Sequence, residues 1–224
     1  HISGVGNSSN LYVWDRNLDG NAGMLRLVFG LGTRAVGRMI GDYARIVSLD
    51  DPAAQPPMAQ EDRKRFSQHE VDVLSLDENL LITVPLDEAL ADDIKTEKSL
   101  FVSMDRATAN RIRELGYANN KTPWMLHFDR LLEDTEFPAL MKDMLSVLSN
   151  KYEYPVDIEF TANFSQDERF KVNLVQCRPL QTRGFGKAVK VPQLSECRSC
   201  FFSTQGSFMG GNVNLSIDYL VFVD

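Results

Sequence analysis

Two neighbouring segments in which polar and apolar residues alternate constrain this chain more than any other feature. Residues 156–161 (VDIEFT) and 170–176 (FKVNLVQ) each carry the pattern of a β-strand, and the polar residues 163–169 lie between them. Length and composition predict that the two strands form a β-hairpin. The hairpin fixes which side chains meet, because residues two apart on a strand point to the same face.

The first strand of this hairpin carries two acids on one face. Asp157 and Glu159 alternate with apolar neighbours, so they are expected side by side. Two adjacent carboxylates repel each other, and a cation beside them relieves the repulsion. Mg²⁺ takes one or two protein carboxylates and completes its shell with water and phosphate oxygens. The pair therefore indicates a magnesium site, or else a solvated strand face.

The second strand ends in an amide and a guanidinium. Strict alternation assigns Gln176 and Arg178 to one face, shared with Val172 and Leu174. The planar fork of arginine matches phosphate, and glutamine offers either a carbonyl or an amide. If the hairpin places both polar pairs in one cleft, the arrangement suits phosphoryl transfer, which depends on positioning and charge stabilisation. The alternative is a surface ion pair between Arg178 and one of the acids.

A glycine-rich segment follows the apolar strand predicted at residues 24–29 (MLRLVF). Gly30 and Gly32 let the backbone turn sharply or approach a ligand closely. The later glycine is misplaced for a dinucleotide fingerprint, and no Gly-Lys-Ser/Thr follows as in a P-loop. The segment is therefore either a ligand contact or a plain turn, and Arg34 and Arg38 either reach phosphate or lie on the surface.

The remaining pattern mixes strands and helices. Residues 137–148 are the clearest helix, with apolar residues at i, i+3 and i+4 spacing, and we assign that face to the core. Further strands are predicted at 11–14 and 44–49, and further helices at 86–90 and 105–115. The chain is therefore expected to be an α+β protein.

Composition excludes several classes of protein. The net charge is −7 and lysine and arginine do not cluster, which argues against a nucleic-acid partner. No apolar run approaches the ~20 residues of a membrane helix, and the N-terminus does not read as a signal peptide. We expect a cytoplasmic protein without a membrane partner.

The chain has three cysteines, and an odd number argues against a secreted disulfide framework. Cys197 and Cys200 are either ordinary thiols or part of a metal or redox site.

The two hairpin motifs together resemble a known family. Asp157-Ile158-Glu159-Phe160, followed by residues 174–180 (LVQCRPL), resembles the end of the ATP-binding domain of phosphoenolpyruvate synthase and pyruvate phosphate dikinase. Residues 3–5 (SGV) and 24–36 (MLRLVFGLGTRAV) resemble earlier segments of that domain. The resemblance spans residues 3–183, and the order of the paired motifs makes it specific.

The resemblance implies an ATP-grasp fold, in which two α+β lobes hold ATP between them. Residues 1–183 would be its C-terminal lobe, a mixed or antiparallel sheet with packed helices. Residues 184–224 would be an irregular linker and the start of the next segment. The cofactors implied are ATP and Mg²⁺. The activity implied is phosphoryl transfer from ATP to a histidine on a separate swivelling domain, towards interconversion of pyruvate and phosphoenolpyruvate.

The same resemblance assigns roles to individual residues. Glu159 and Gln176 correspond to Mg²⁺ ligands, and Arg178 corresponds to the catalytic contact with the transferring phosphate. The expected cofactor contacts are Gly30, Gly32, Asp157 and Gln176.

Three departures from the family pattern leave alternatives open. Thr33 stands where the family has a glutamate after Gly-Leu-Gly, and the hairpin loop is longer than the common form. The N-terminal lobe and the histidine-bearing domain are expected as partners in the parent protein, so the chain alone is expected to be inactive. The alternatives are a non-catalytic regulatory or scaffold module of the same fold, and a plain α+β scaffold with a decorative acidic pair. A homo-oligomer is left open.

Overall fold

The computed structural model describes most of the chain. The described residues are 1–15, 17–37, 41–90, 94, 96–115, 122–165, 167, 169–181, 208–209 and 216–221. Arg38, the Cys197–Cys200 motif and most of the expected linker at 184–224 lie outside them. No helix in the described ranges is long and apolar enough to cross a membrane.

A five-stranded antiparallel sheet forms the centre of the fold. Its strands are β1 (Ile2–Asn7), β3 (Met24–Phe29), β4 (Arg45–Ser48), β9 (Val156–Phe164) and β10 (Phe170–Pro179). Their order in the sheet is β10-β9-β1-β3-β4, and every neighbouring pair is antiparallel. The predicted hairpin is β9 and β10, and both strands continue beyond their predicted ends.

Smaller elements surround the central sheet. Three two-stranded sheets are described: β2 (Tyr12–Val13) with β11 (Phe208–Met209), β5 (Glu70–Ser75) with β6 (Leu80–Pro85), and β7 (Val102–Met104) with β8 (Trp124–Leu126). The helices are α1 (Thr33–Val36), α2 (Gln60–Arg65), α3 (Leu86–Ala89), α4 (Arg106–Glu114), α5 (Asp129–Asp134), α6 (Phe137–Tyr152) and a 3₁₀ turn at Lys98–Leu100. The α+β class expected from the sequence is confirmed.

One face of the sheet packs against α6. Ile158 and Phe160 of β9 are buried against the apolar side of that helix, which carries Phe137, Met141 and Leu145. The rings of Phe137 and Phe160 lie 6.2 Å apart between centroids. Burial of each such side chain stabilises the fold by roughly 1.5–3 kcal/mol. The helix predicted at 137–148 is therefore the core element that the pattern indicated, and it continues to Tyr152.

The opposite face of the sheet is only partly covered, and we call it the open face. Ala35 of α1 packs on Val5 and Val28, which closes one end of it. The remainder, towards Asn7 and Asp157, forms the wall of a cavity. The two faces of β9 differ accordingly, because its even-numbered residues are buried while Asp157 and Glu159 are only half-buried.

Close backbone approach requires a glycine in β1. A Cβ built on Gly4 would lie 2.5 Å from the carbonyl oxygen of Arg26 and 2.7 Å from the ring of Phe160. Since one of these atoms belongs to a paired backbone, relief requires a shift of the sheet. We expect Gly4→Ala to lower the free energy of unfolding by about 1–3 kcal/mol in urea denaturation.

The matched control is Gly20→Ala, where the nearest heavy atom would be Val13 Cγ2 at 3.8 Å. This change should stay within about 0.5 kcal/mol of the unmodified chain. Equal effects at the two glycines would contradict the packing argument.

Candidate functional site

The register of the sheet brings four predicted residues together on the open face. Gln176 pairs with Glu159, and Arg178 pairs with Asp157. Residues directly opposite on antiparallel strands have their Cβ atoms about 4.5–5.5 Å apart. Two adjacent cross-strand rows therefore carry two acids, an amide and a guanidinium.

A β-bulge places these side chains, and it corrects the sequence interpretation. Simple alternation put Gln176 and Arg178 on the face of Val172 and Leu174, and this was wrong. Leu174 pairs with Phe160 on the core side, and the register then shifts between Leu174 and Gln176. The additional residue, Val175, exchanges the two faces, as bulges do. Only this shift brings the polar end of β10 alongside the acids of β9.

Asp157 and Arg178 form an ion pair that leaves one carboxylate oxygen of Asp157 without a hydrogen-bond partner among the described residues. Arg178 donates to Oδ2 of Asp157 from Nε at 3.1 Å and from Nη2 at 2.9 Å. The other oxygen, Oδ1, is buried and has no hydrogen-bond partner among the described residues. The side chain of Asp157 is 15% exposed and that of Arg178 is 54% exposed. A buried polar atom without a partner is rare and calls for a donor or a cation.

These two residues lie at a cavity of about 900 Å³. Such a volume is at the upper end of the ~300–1,000 Å³ usual for ligand sites. The described residues that line it include five arginines, three aspartates and no lysine, in a chain whose net charge is −7. The arginines are Arg26, Arg34, Arg45, Arg63 and Arg178. Cationic side chains therefore outnumber carboxylates along its wall, as suits an anionic ligand, although Arg34 and Arg178 are themselves paired with acids.

Four other predicted site residues do not line the cavity. Glu159 and Gln176 occupy the row next to Asp157 and Arg178. Gly30 has a φ of +89°, and a Cβ there would lie 2.4 Å from Val71 Cγ1, so it packs against β5. Gly32 lies beside Ser3, because a Cβ built on Gly32 would be 3.5 Å from the Cβ of Ser3. The ligand roles of these four residues stay predictions.

Arg34 is not a surface residue, and acids of the protein already occupy its guanidinium. It is 4% exposed and binds three carboxylates: Asp42, Glu70 at 2.9 Å and Asp72 at 3.1 Å. Asp72 also accepts hydrogen bonds from Thr33 at 2.5 Å and Thr83 at 2.7 Å. Burial alone would raise the pKa of Asp72, but the hydrogen bonds from Thr33, Thr83 and Arg34 outweigh it and lower that pKa. We call this set the Arg34 cluster, and it fastens the glycine segment to β5.

We expect Arg34→Ala to destabilise the protein severely. Its removal leaves buried carboxylates without a counter-charge, which typically costs about 3–5 kcal/mol. Urea denaturation followed by circular dichroism measures the change. The control is Arg113→Ala on α4, where the arginine is exposed. A loss below about 1 kcal/mol for Arg34→Ala would show that the cluster does not hold the segment.

Sequence reasoning missed a second group of cavity residues around α5. His127 and Asp129 line the cavity on either side of Phe128, which is buried and has a φ of +64°. The backbone N–H groups of His127 and Phe128 both donate to the carbonyl of Phe101, at 2.9 and 3.0 Å. A bulky residue at positive φ marks a backbone that its surroundings hold in place. No sequence pattern predicts this backbone conformation, because the carbonyl that accepts its hydrogen bonds belongs to Phe101, in a turn that is distant in sequence.

The environment of His127 favours its neutral form. Burial lowers the pKa of His127, and the positive charge of Arg45 lowers it further, while Asp129 opposes the shift. The backbone N–H of Asp129 donates to Nδ1 of His127 at 3.0 Å, which leaves the proton of the neutral ring on Nε2.

Stability should consequently fall in mild acid. Between the lowered pKa of folded His127 and the ordinary value of ~6.5, the unfolded chain binds more protons than the folded one. We expect the free energy of unfolding to decrease as the pH drops below about 6.5, and His127→Gln to flatten that decrease. Urea denaturation at pH 5 to 8 measures it, with exposed His69→Gln as control. An unchanged slope in His127→Gln would contradict this assignment.

Fold and site together define the class of protein. An α+β lobe with an antiparallel sheet, acids on its open face and an arginine-lined cavity is an ATP-grasp-like nucleotide-binding lobe. The family model of the pyruvate phosphate dikinase AMP/ATP-binding domain matches residues 1–198, and the chain belongs to this family. It is therefore an ATP-binding region of that group of phosphotransferases. A search of curated proteins found no match.

Proposed function

We propose that this domain binds MgATP on its open face and helps to transfer a phosphoryl group to a histidine on a separate domain. The overall reaction is interconversion of pyruvate and phosphoenolpyruvate. The observation that supports the proposal most directly is the state of Asp157. One of its oxygens is held by Arg178, and the other is buried at the cavity without a described partner.

The donor set on the open face fits Mg²⁺. The unmet Oδ1 of Asp157 is an anionic oxygen, Glu159 lies two residues along the same face, and Gln176 is opposite Glu159. Among the described residues, no three His, Cys, Asp or Glu side chains converge as a preformed metal site. Mg²⁺ does not need one, because it commonly uses one or two carboxylates together with substrate phosphates. When bound, it neutralises charge on the phosphate oxygens.

Arg178 serves as the cation for the transferring group. Its guanidinium lies at the edge of the sheet and is half exposed, so it can contact a ligand while Asp157 fixes its orientation. Guanidinium groups bind phosphate through two parallel N–H donors. Placement of this fork beside the metal ligands is what phosphoryl transfer requires, since charge stabilisation provides most of the catalysis.

The glycine segment completes the proposed nucleotide site. Ser3 donates a hydrogen bond to the carbonyl of Gly30 at 2.7 Å, and Gly32 lies beside Ser3. We infer that the backbone of Gly30 and Gly32 contacts the cofactor at this end of the open face. The partners in the proposal are the N-terminal lobe and the histidine-bearing domain of the parent protein, in the cytoplasm.

One observation favours a second candidate function. The hydroxyl of Thr33 is committed to Asp72, so Thr33 does not supply the acidic contact that the family pattern places there. A domain without that contact fits a regulatory module that binds nucleotide and transfers nothing. Metal dependence separates the two functions, because tight binding of the triphosphate for transfer requires Mg²⁺.

We expect Arg178→Ala to weaken MgATP binding by about ten- to hundredfold, the loss typical of one hydrogen-bonded charge. Isothermal titration calorimetry should be run on the full-length protein and on this chain, with and without Mg²⁺. The matched control is Arg169→Ala on the same hairpin, an arginine that is 85% exposed and paired with the neighbouring Asp167.

The outcomes distinguish the proposals. Loss of binding in Arg178→Ala and in Glu159→Gln, with Mg²⁺ dependence, supports the phosphotransferase. Binding without Mg²⁺ that persists in Glu159→Gln supports the regulatory module. A full-length protein that does not bind ATP at all overturns both and leaves the scaffold.

A further inference from the structure

The cavity has a second cationic end, far from Arg178. Arg178 lies on β10 and Arg45 on β4, which are the two edge strands of the central sheet. Four strand spacings separate them, or about 19 Å at ~4.8 Å per spacing. The two arginines are therefore anchored at opposite edges of the sheet. The end at β4 needs its own explanation.

Arg45 is half-buried, and two of its nitrogens lack hydrogen-bond partners in the described part of the chain. Its side chain is 15% exposed, and both Nε and Nη2 are shielded from solvent without a hydrogen-bond partner among the described residues. The nearest carboxylate oxygen, Oδ1 of Asp129, is 3.9 Å from Nη2, which is too far for a hydrogen bond. Unlike Arg34, which binds three carboxylates, Arg45 has one distant acid, Asp129, and no hydrogen-bonded acid among the described residues.

Asp129 does not neutralise Arg45, because its oxygens face other groups. Oδ1 accepts a hydrogen bond from Nε2 of Gln55 at 3.2 Å, and Oδ2 lies 3.3 Å from Nδ1 of His127. Glu133 also contributes a negative field at Arg45, but it does not line the cavity. The nearby acids therefore stabilise the charge of Arg45 at a distance without forming a hydrogen bond to it.

A second arginine faces the same space from α2. Arg63 lines the cavity, is exposed, and makes no ion pair or side-chain hydrogen bond within the described part of the chain. It lies close enough to Arg45 that its charge lowers the pKa of Arg45, in addition to the larger effect of burial. Two like charges held near each other at a cavity are the arrangement that an anion between them stabilises.

We propose that Arg45 and Arg63 form a second oxyanion subsite, which takes a phosphate dianion separately from the site of Arg178. Gln55 and the turn at Phe128, which has a positive φ, line the same cavity. The ligand is either free inorganic phosphate or the phosphate of a small ester. This subsite rests on its own residues and does not require that the proposed nucleotide function be correct.

Titration with inorganic phosphate, at constant ionic strength, tests the subsite in the full 224-residue chain. We expect saturable binding that Arg63→Gln weakens at least about tenfold, since a charge-assisted contact is lost. Arg63 is exposed, so the variant should fold. The matched control is Arg113→Gln, which removes one exposed arginine from α4, away from the cavity. Arg178→Ala provides the second comparison.

Each outcome decides one point. Weakened phosphate binding in Arg63→Gln, with normal binding in Arg113→Gln and Arg178→Ala, supports the subsite. Tighter binding of glycerol 3-phosphate than of phosphate identifies an ester ligand, whereas binding of phosphate alone identifies the free ion. Absence of saturable binding, or equal loss in Arg63→Gln and Arg113→Gln, overturns the subsite. Loss in Arg178→Ala alone assigns the phosphate to the nucleotide site and also overturns it.

Discussion

The pairing of β9 with its two neighbours is the constraint on which the rest of the structure depends. β9 is hydrogen-bonded to β1 on one side and to β10 on the other, so its register fixes both rows of the open face. Its even-numbered residues fill the core against α6, and its odd-numbered residues carry the acids. A slip of one residue would bury Asp157 and Glu159 and expose Phe160, so the hydrophobic core itself specifies the geometry of the site.

The arginines of the cavity differ in how many of their donors the protein pairs with acids. Arg34 is fully bonded by three carboxylates and holds the glycine segment to β5. Arg178 binds one carboxylate oxygen of Asp157 and is half exposed, which leaves its guanidinium available to a ligand. Arg45 is half-buried, and no acid among the described residues is hydrogen-bonded to it. A guanidinium that the protein already pairs with carboxylates stabilises the fold, and we expect those with unpaired donors to be available to an anion.

Thr33 illustrates how a change in one contact bears on function. Its hydroxyl bonds Asp72 and so joins the cluster around Arg34, whereas the family pattern has an acid at this position. The substitution therefore strengthens the attachment of the segment while removing a negative group from it. The acids of β9, by contrast, match the family, and so the metal-binding part of the proposed mechanism does not depend on Thr33.

The sequence by itself determined the α+β class, the β9–β10 hairpin, the core helix and the family, because these follow from local periodicity and from motifs that are contiguous in the chain. It also predicted that Asp157 and Glu159 share a face, since alternation along one strand is local. It placed Gln176 and Arg178 on the wrong face, because a bulge arises from pairing with a neighbouring strand and has no signature in alternation. The burial of Arg34, the unmet charge of Arg45 and the turn at Phe128 were decided only by tertiary structure. Each depends on groups that are distant in sequence, and burial and electrostatic compensation exist only once those groups are packed together.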